Sequence, residues 1–289
     1  MTEPLPQLVA HRGSLRRYPE NTWLGLEAAL RAGACWLEFD VQMCADGRFV
    51  LLHDADFSRT ANHPLSLFAC AASDTQSISV HEPERFGTAF APLPPPLLDA
   101  VLGRLAEFPT ARAMVEIKHE SLQHWGLTRV MDSLLELLEP AHAQCVLISY
   151  SREALHYAAR NSDIATGWVL RRYDQMHREQ ALELQPEFLI CNHDKIGQQQ
   201  ELWPGSWQWM LYDIVEPQLA LDWARRGAAL IETADIGAML AHPVLARGLA
   251  YFRLNRKPQA CQDFHLHADL HVLRYLHWLA VRGAGPDGR

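Results

Sequence analysis

Residues 35–41 read CWLEFDV, a short apolar run that Glu38 and Asp40 interrupt at alternate positions. Similar short runs recur along the 289-residue chain, and helix-like sequence separates most of them. Near-continuous apolar strands that alternate with helices predict a parallel sheet covered on both faces. The eight runs are Leu8–His11, Cys35–Val41, Ala113–Lys118, Cys145–Ser149, Ala165–Leu170, Phe188–Asn192, Gln208–Asp213 and Ala229–Glu232.

The predicted helices complete an α/β pattern of eight strands in about 240 residues, which is typical of a (β/α)8 TIM barrel. An open, doubly wound sheet is the alternative. It is disfavoured because the first strand leads into His11-Arg12-Gly13-Ser14 and not into the glycine-rich loop of dinucleotide-binding sheets. The predicted helices are Thr22–Ala32, Leu97–Phe108, Leu122–Leu138, Arg152–Asn161, Gln175–Leu184 and Gln218–Arg226.

Two segments depart from the repeat. Ala45-Asp46-Gly47 is a turn signal before the strand-like run Phe49–Leu52, which predicts a hairpin that carries His53 back toward the level of Asp40. Residues 54–96 then form a long excursion on the barrel rim, and residues 255–289 form a C-terminal extension with a helix over Cys261–Val281. We expect one domain over residues 1–289.

Composition excludes some classes of protein. The chain has 26 Lys and Arg against 34 Asp and Glu, a net charge of −8, which disfavours nucleic-acid binding but not a small anionic ligand. Residues 1–8 resemble no signal peptide, and no run of about 18 apolar residues predicts a transmembrane segment. The six scattered cysteines are expected to be buried thiols, so we expect a cytoplasmic protein. The sequence does not predict an oligomeric state.

The strand ends carry acidic residues that predict a metal site. Glu38 and Asp40 lie two residues apart and therefore project from the same side of the second strand, and Glu116 lies in the third. Carboxylates inside apolar strands are costly unless they are paired or bound to metal. Three of them favour one hard divalent cation, Mg²⁺ or Ca²⁺. The alternative is ion pairing with Arg12 and Lys118.

Two histidines and two cations at the same strand ends indicate phosphoester chemistry. His11 and His53 could exchange protons near neutral pH, so they are candidate acid and base. Arg12 and Lys118 would bind a phosphate. This combination fits phosphodiester cleavage better than glycoside hydrolysis, which needs two catalytic carboxylates and little fixed positive charge.

The ordered set of motifs over residues 8–118 closely resembles the glycerophosphodiester phosphodiesterase family. The resemblance implies a small-molecule glycerophosphodiester substrate, cleaved with Mg²⁺ or Ca²⁺ to sn-glycerol 3-phosphate and an alcohol. It implies that His11 and His53 are the acid and base, that Glu38, Asp40 and Glu116 hold the metal, and that Arg12 and Lys118 contact the phosphate. The motifs are His11-Arg12-Gly13, Pro19-Glu20-Asn21-Thr22, Glu38-x-Asp40, Asp46-Gly47, His53-Asp54 and Glu116-x-Lys118.

The second half of the chain departs from the family pattern. The late strands read Trp209-Met210-Leu211-Tyr212-Asp213 and Glu232-Thr233-Ala234-Asp235, where the family usually has a Trp-Thr-x-Asn-like run and a Thr-Asp pair. Trp209 is a candidate wall of the substrate pocket, although a core position is equally compatible with its sequence. The alcohol headgroup is therefore not predicted. Glu20 is interpreted mainly as part of a helix entry, with a contact to Arg12 or the metal site as the alternative.

Two other functions are compatible with the sequence. A lysophospholipid or inositol-lipid phosphodiesterase would need an apolar entry rim, for which Leu65, Leu67, Phe68 and Ile78 are candidates. A catalytically silent barrel that binds phosphodiesters is the second alternative. The histidine-rich segment HLHADLH (residues 265–271) is interpreted as a solvated or interface face and not as a metal site.

Overall fold

A computed structural model describes residues 4–197 and 200–246. Eight parallel strands pair in the order β1-β2-β6-β7-β8-β9-β10-β11, and β11 pairs with β1 to close a barrel. This confirms the predicted α/β TIM barrel. The strands of the described residues are β1 (Gln7–Ala10), β2 (Trp36–Met43), β3 (Phe49–Leu51), β4 (Asp56–Phe57), β5 (His63–Ser66), β6 (Arg112–Ile117), β7 (Cys145–Ser149), β8 (Ala165–Val169), β9 (Phe188–Asn192), β10 (Gln208–Tyr212) and β11 (Ala228–Thr233).

Helices cover the outside of the barrel. One prediction was wrong: Leu122–Leu138 is not a single helix, because Gly126 at φ +83° and ψ +145° separates two. The α-helices of the described residues are α1 (Trp23–Ala32), α2 (Ser58–Ala61), α3 (Ala72–Thr75), α4 (Pro83–Phe86), α5 (Leu98–Leu105), α6 (His119–Trp125), α7 (Leu127–Leu138), α8 (Arg152–Asn161), α9 (Gln175–Leu184), α10 (Pro217–Arg225) and α11 (Ile236–Ala241). Short 3₁₀ turns occupy Leu67–Ala69, Glu139–Ala141 and His193–Lys195.

Side chains alternate between two apolar layers. One large cluster packs between the strands and the helices, and a second fills the inside of the barrel. Val9, Trp36, Met114 and Leu230 belong to the inner cluster. Because side chains alternate along a strand, the residues two positions further on also face inward, one layer closer to the carboxyl ends. The inner cluster therefore forms the floor of a polar layer above it.

The predicted hairpin is confirmed. Strand β3 runs antiparallel to β2, from Met43↔Phe49 to Val41↔Leu51, and the backbone N–H of Leu52 donates to the carbonyl of Asp40 at 3.1 Å. His53 therefore follows the hairpin at the level of Asp40. The next residues carry the chain onto the rim as expected.

The rim excursion has its own apolar core. Strands β4 and β5 form a two-stranded sheet, and Phe57, Leu67, Ile78 and Val80 are buried together beneath it. The prediction that Leu67 and Ile78 line an apolar entry rim was therefore wrong, since both side chains face the interior of the excursion. Their hydrophobicity stabilises the excursion itself.

The C-terminal predictions lie outside the described residues. These are the extension 255–289, the helix Cys261–Val281 and the histidines of residues 265–271. Within the described part of the chain, no helix is both long and apolar enough to cross a membrane. The five cysteines described there are all free thiols.

Candidate active site

A cavity of about 190 Å³ opens at the carboxyl ends of the barrel strands. This is the end at which TIM-barrel enzymes carry their catalytic groups. One half of its wall is charged and comes from β1, β2, β6 and β11, whereas the other half, from β7 to β10, is apolar except for two tyrosines and Asp213, which directly follows β10. The lining residues are His11, Arg12, Glu38, His53, Glu116, Lys118, Ile148, Tyr150, Val169, Ile190, Met210, Tyr212, Asp213 and Glu232.

Asp40 is held by a reciprocal contact with Asn21. The Asn21 side-chain amide donates to Asp40 Oδ2 at 2.9 Å, and the backbone N–H of Asp40 donates to Asn21 Oδ1 at 3.1 Å. Asn21 has φ +53°, a left-handed conformation that asparagine tolerates better than most residues. An asparagine in the loop before α1 therefore both adopts this conformation and contacts the site.

Arg12 connects three buried carboxylates. Its backbone N–H donates to Glu38 Oε2 at 3.1 Å, and its Nη1 donates to Glu20 Oε1 at 3.0 Å. Its Nε forms an ion pair with Asp40 Oδ2 at 3.1 Å. Arg12 thus lies at the charged wall of the cavity, with its position fixed from several directions.

Lys118 is paired in a similar way. Its Nζ lies 2.9 Å from Glu116 Oε1 and 3.2 Å from Asp40 Oδ1. Lys118 was predicted to be the last residue of the third strand. It is instead the N-cap residue of α6, directly after β6. The ion pairs considered as an alternative to a metal site are present, and they occur within the same cluster as the candidate metal ligands.

Glu38, Asp40 and Glu116 form a compact group of oxygen donors. One carboxylate oxygen from each lies within 4.8 Å of the others. The side chains of Glu38 and Asp40 are 3% and 2% exposed, and that of Glu116 is 12% exposed. Burial, and then the charge of Asp40, raise the pKa values of Glu38 and Glu116. Burial also opposes ionisation of Asp40, but Arg12 and Lys118 outweigh it and hold the pKa of Asp40 below its usual range.

The formal charges of the cluster fit a divalent cation. With Glu232, four carboxylates stand against the two positive charges of Arg12 and Lys118, which leaves a formal charge of −2 when all are ionised. Hard oxygen donors at this spacing are the ligands that Mg²⁺ and Ca²⁺ prefer. The site can therefore hold a divalent metal, and its donors do not discriminate between these two ions.

The two histidines occupy different environments. Burial, and then the charge of Arg12, lower the pKa of His11 to about 4, and its Nε2 lies 3.9 Å from Glu38 Oε2. His11 is therefore neutral near pH 7. His53 Nδ1 lies 2.7 Å from Asp54 Oδ1, so the carboxylate fixes the ring orientation and leaves Nε2 for another partner.

A hydrogen-bonded chain links His53 to Arg12. Asp54 Oδ2 accepts from Arg59 Nε at 2.7 Å, and the Arg59 fork donates to both oxygens of Glu20 at 2.7 Å. The interpretation of Glu20 as mainly a helix-entry residue was wrong, because its side chain is buried and joins Arg12 to Arg59. Thr22 is the N-cap residue of α1, since its hydroxyl accepts from the backbone N–H of Gly25.

The prediction that Trp209 lines the pocket needs correction. Trp209 faces the helices, is 4% exposed, and donates from Nε1 to the carbonyl of Trp203 at 2.9 Å. Its neighbours Met210 and Tyr212 face the cavity instead, because alternate residues of β10 point inward. The Tyr212 hydroxyl lies 3.0 Å from the hydroxyl of Tyr150 across the cavity wall.

Glu232 is a site residue that was not predicted from the sequence. It lies in β11, is 4% exposed, and has one carboxylate oxygen within 4.8 Å of ligand atoms of His11 and Glu38. Burial, and then Glu116, raise the pKa of Glu232 well above its usual range. A carboxylate inside an apolar strand was the signal that identified Glu38, and the same signal would have identified Glu232.

Parts of this chain are similar in sequence to curated proteins, and its fold is similar to solved structures. The glycerophosphodiester phosphodiesterase of Bacillus subtilis is 28% identical over 157 residues, 51% of this chain and 53% of that protein. The Bacillus altitudinis enzyme of that name is 45% identical over 58 residues, 20% and 24% of the two chains. The chain thus spans about half of these curated relatives, or less.

The barrel itself is shared with a solved phosphodiesterase of Oleispira antarctica in complex with the product sn-glycerol-3-phosphate. Its TM-score is 0.71 at 21% identity, over 82% of this chain and 96% of that one, a similarity that shows the fold. The model of the Glycerophosphoryl diester phosphodiesterase family matches residues 11–184, which is more than half of the chain and includes the three predicted metal ligands and both candidate histidines. The chain therefore belongs to the Glycerophosphoryl diester phosphodiesterase family.

Proposed function

We propose that this protein is a metal-dependent phosphodiesterase that hydrolyses glycerophosphodiesters to sn-glycerol 3-phosphate and an alcohol. The observation that carries the proposal is the convergence of His11, His53 and the carboxylates Glu38 and Glu116 on one cavity. Family membership and the solved relative with bound sn-glycerol-3-phosphate support the choice of substrate.

Glu38, Asp40 and Glu116 would hold the divalent cation, Mg²⁺ or Ca²⁺. When bound, the cation would stabilise negative charge on the substrate and help to orient it. The same charge would relieve the repulsion between the three carboxylates, whose oxygens lie within 4.8 Å of one another.

In the first step we assign His11 as the base and His53 as the acid. Neutral His11 takes the proton of the glycerol 2-hydroxyl while that oxygen forms a bond to phosphorus. The bond from phosphorus to the alcohol breaks, and His53 protonates the departing oxygen. Asp54 holds Nδ1 of the His53 ring and so leaves Nε2 to face the departing oxygen, the orientation that a proton donor needs.

In the second step the roles reverse. Water attacks the cyclic phosphate formed in the first step and loses a proton to His53. The ring bond between phosphorus and the 2-oxygen breaks, and His11 returns its proton to that oxygen. Arg12 and Lys118, both on the cavity wall, would bind the non-bridging phosphate oxygens.

The test is turnover of glycerophosphocholine with Mg²⁺, with Ca²⁺ and with chelator. We expect release of sn-glycerol 3-phosphate that the chelator abolishes. His11→Ala and His53→Ala should each lose most of the rate, by about 100-fold or more, while the exposed His63→Ala should not. No turnover with either metal would leave the alternative of a silent, phosphodiester-binding barrel.

A substrate with a para-nitrophenyl leaving group separates the two histidines. Its leaving group departs without a proton, so it should restore much of the His53→Ala rate and little of the His11→Ala rate. The opposite pattern would reverse the assignment of acid and base. Full activity in either variant with glycerophosphocholine would remove that histidine from the mechanism.

The lysophospholipid alternative is less well supported. Two of its four candidate rim residues, Leu67 and Ile78, are buried in the excursion core. Turnover of acylated diesters but not of glycerophosphocholine would nevertheless favour it.

We further propose a single domain over residues 1–289 and a cytoplasmic location. The free thiols of the five described cysteines support a reducing compartment. Limited proteolysis would test the domain assignment, since a single domain should resist internal cleavage. Fractionation of cells would test the location.

A further inference from the structure

Glu232 is a buried carboxyl group in the cavity that the proposed mechanism does not use. It lies on β11 at the junction of the charged and apolar halves of the wall, between Met210 on one side and His11 on the other. Glu232 is 4% exposed. Among the described residues, no hydrogen-bond donor or ion-pair partner contacts its side chain.

A carboxyl group that faces a cavity and has no hydrogen-bond partner among the surrounding side chains depends on the cavity contents for its hydrogen bonds. The nearest apolar neighbours on β10 cannot satisfy it, and the hydroxyl groups of Tyr212 and Tyr150 hydrogen-bond each other and not Glu232. The side chain faces the cavity, so the missing partner can come from a bound molecule. An alcohol hydroxyl suits both forms of the carboxyl group, because it can donate and accept a hydrogen bond.

We propose that Glu232 binds the terminal hydroxyl of the glycerol moiety and thereby selects diesters whose glycerol is not acylated. This inference rests on the proposed function. His11, assigned above to the glycerol 2-hydroxyl, has a ring nitrogen within 4.8 Å of a Glu232 oxygen. The terminal hydroxyl is on the adjacent carbon, so the two side chains can contact neighbouring hydroxyl groups of one glycerol.

The contact predicts a defined substrate preference. A diester of propanediol that keeps the 2-hydroxyl but lacks the terminal one would leave Glu232 unsatisfied. An acyl ester at the terminal oxygen would remove the donor and add bulk at a buried position. Active sites that hydrogen-bond a substrate hydroxyl reject analogues without it much more strongly than apolar pockets reject a missing methylene group.

The experiment compares kcat/KM for glycerophosphocholine and for the corresponding propanediol diester, in the presence of saturating metal. Wild-type protein should prefer the glycerol diester by about 10-fold to 100-fold. Glu232→Leu should reduce this preference to less than about threefold, whereas Glu232→Gln, which can still hydrogen-bond a hydroxyl, should retain most of it. The exposed Glu216→Gln is the matched control and should keep the wild-type preference.

The ratio of the two substrates distinguishes this role from others. Equal losses on both diesters in Glu232→Leu, at an unchanged ratio, would overturn the inference and indicate a structural role. A metal requirement in Glu232→Gln that rises as much as in Glu38→Gln would also overturn it, since Glu232 would then be a metal ligand. Wild-type turnover of both diesters without preference refutes the inference alone. Turnover of neither refutes the proposed function, and the inference with it.

Discussion

Replacing Glu20 by Gln removes the negative charge that holds two arginines together. Glu20 is 5% exposed and accepts hydrogen bonds from both Arg59 terminal nitrogens at 2.7 Å and from Arg12 Nη1 at 3.0 Å. Glutamine has the same shape, but it can accept at only one of its two terminal atoms. The variant therefore leaves two cations close together without their shared anion.

The magnitude follows from burial. Breaking a buried ion pair by neutralising one partner costs about 3 to 5 kcal/mol. The Arg59 side chain is 44% exposed, so water screens part of this loss, and we expect about 2 to 3 kcal/mol in the free energy of unfolding. For a domain of this size that corresponds to a fall in Tm of roughly 5 to 10 °C.

The loss should also depend on pH. Burial alone would raise the pKa of Glu20, but hydrogen bonds from Arg59 and the charge of Arg12 outweigh it and lower the pKa below its ordinary value of 4.5. A carboxyl group with a lowered folded-state pKa contributes stability above its unfolded pKa, and this contribution is lost as the pH falls through the folded value. The difference between wild type and Glu20→Gln should therefore be full at pH 7 and shrink below about pH 4.5.

Urea unfolding of wild type and variant between pH 3.5 and 7 measures the difference. Glu27→Gln is the matched control, because Glu27 pairs with Arg31 one turn along α1 with both side chains in contact with solvent. That pair should contribute about 0.5 kcal/mol or less. Equal losses in the two variants at pH 7, or a Glu20→Gln loss that does not change with pH, would refute the reasoning.

Three further predictions follow from single contacts. Asp54→Asn should reduce kcat for glycerophosphocholine by about 10-fold or more, because the amide holds the His53 ring less well, and should also lower Tm, because Arg59 loses an ion pair; an unchanged kcat would contradict the orienting role. Glu116→Gln should raise the metal concentration for half-maximal activity by about 10-fold or more, and an unchanged metal titration would exclude Glu116 as a ligand. Gly13→Ala should lower Tm strongly or prevent folding, because Gly13 has φ +87° and a Cβ there would lie 2.6 Å from the backbone of Gly25; thermal unfolding of a variant as stable as wild type would contradict this.

The barrel could be predicted because its strands are a local signal. Each strand is a short apolar run, and the observed bounds differ from the predicted ones by only one or two residues. The prediction of a single helix over Leu122–Leu138 was wrong at Gly126. The apolar spacing continues through this glycine, so the local sequence pattern does not show that the helix ends there. The structure shows that the glycine has a positive φ with an extended ψ, a conformation that ends one helix before the next begins.

The site was predictable where its residues follow strands, and not where it depends on contacts distant in sequence. His11 and Glu116 occur at strand ends, and Glu38 is a carboxylate inside the apolar strand β2. Glu20 was misinterpreted because its partner Arg59 lies 39 residues away, across the hairpin. For Trp209 the pocket wall and the core stayed open as alternatives, because large apolar residues at successive positions, Trp209 to Leu211, do not reveal which alternate set faces inward.

Local unfolding of the rim excursion would affect His53 and not His11. His11 belongs to the closed barrel, whereas His53 precedes a segment with its own apolar core around Phe57 and Leu67. Segments with separate cores can open in sub-global unfolding reactions that leave the rest of the protein intact. An opening of the excursion would withdraw His53 while His11 and the barrel remained native. The Glu20–Arg59 contact is one of those that join the excursion to the barrel, so it would contribute to the free energy of that opening.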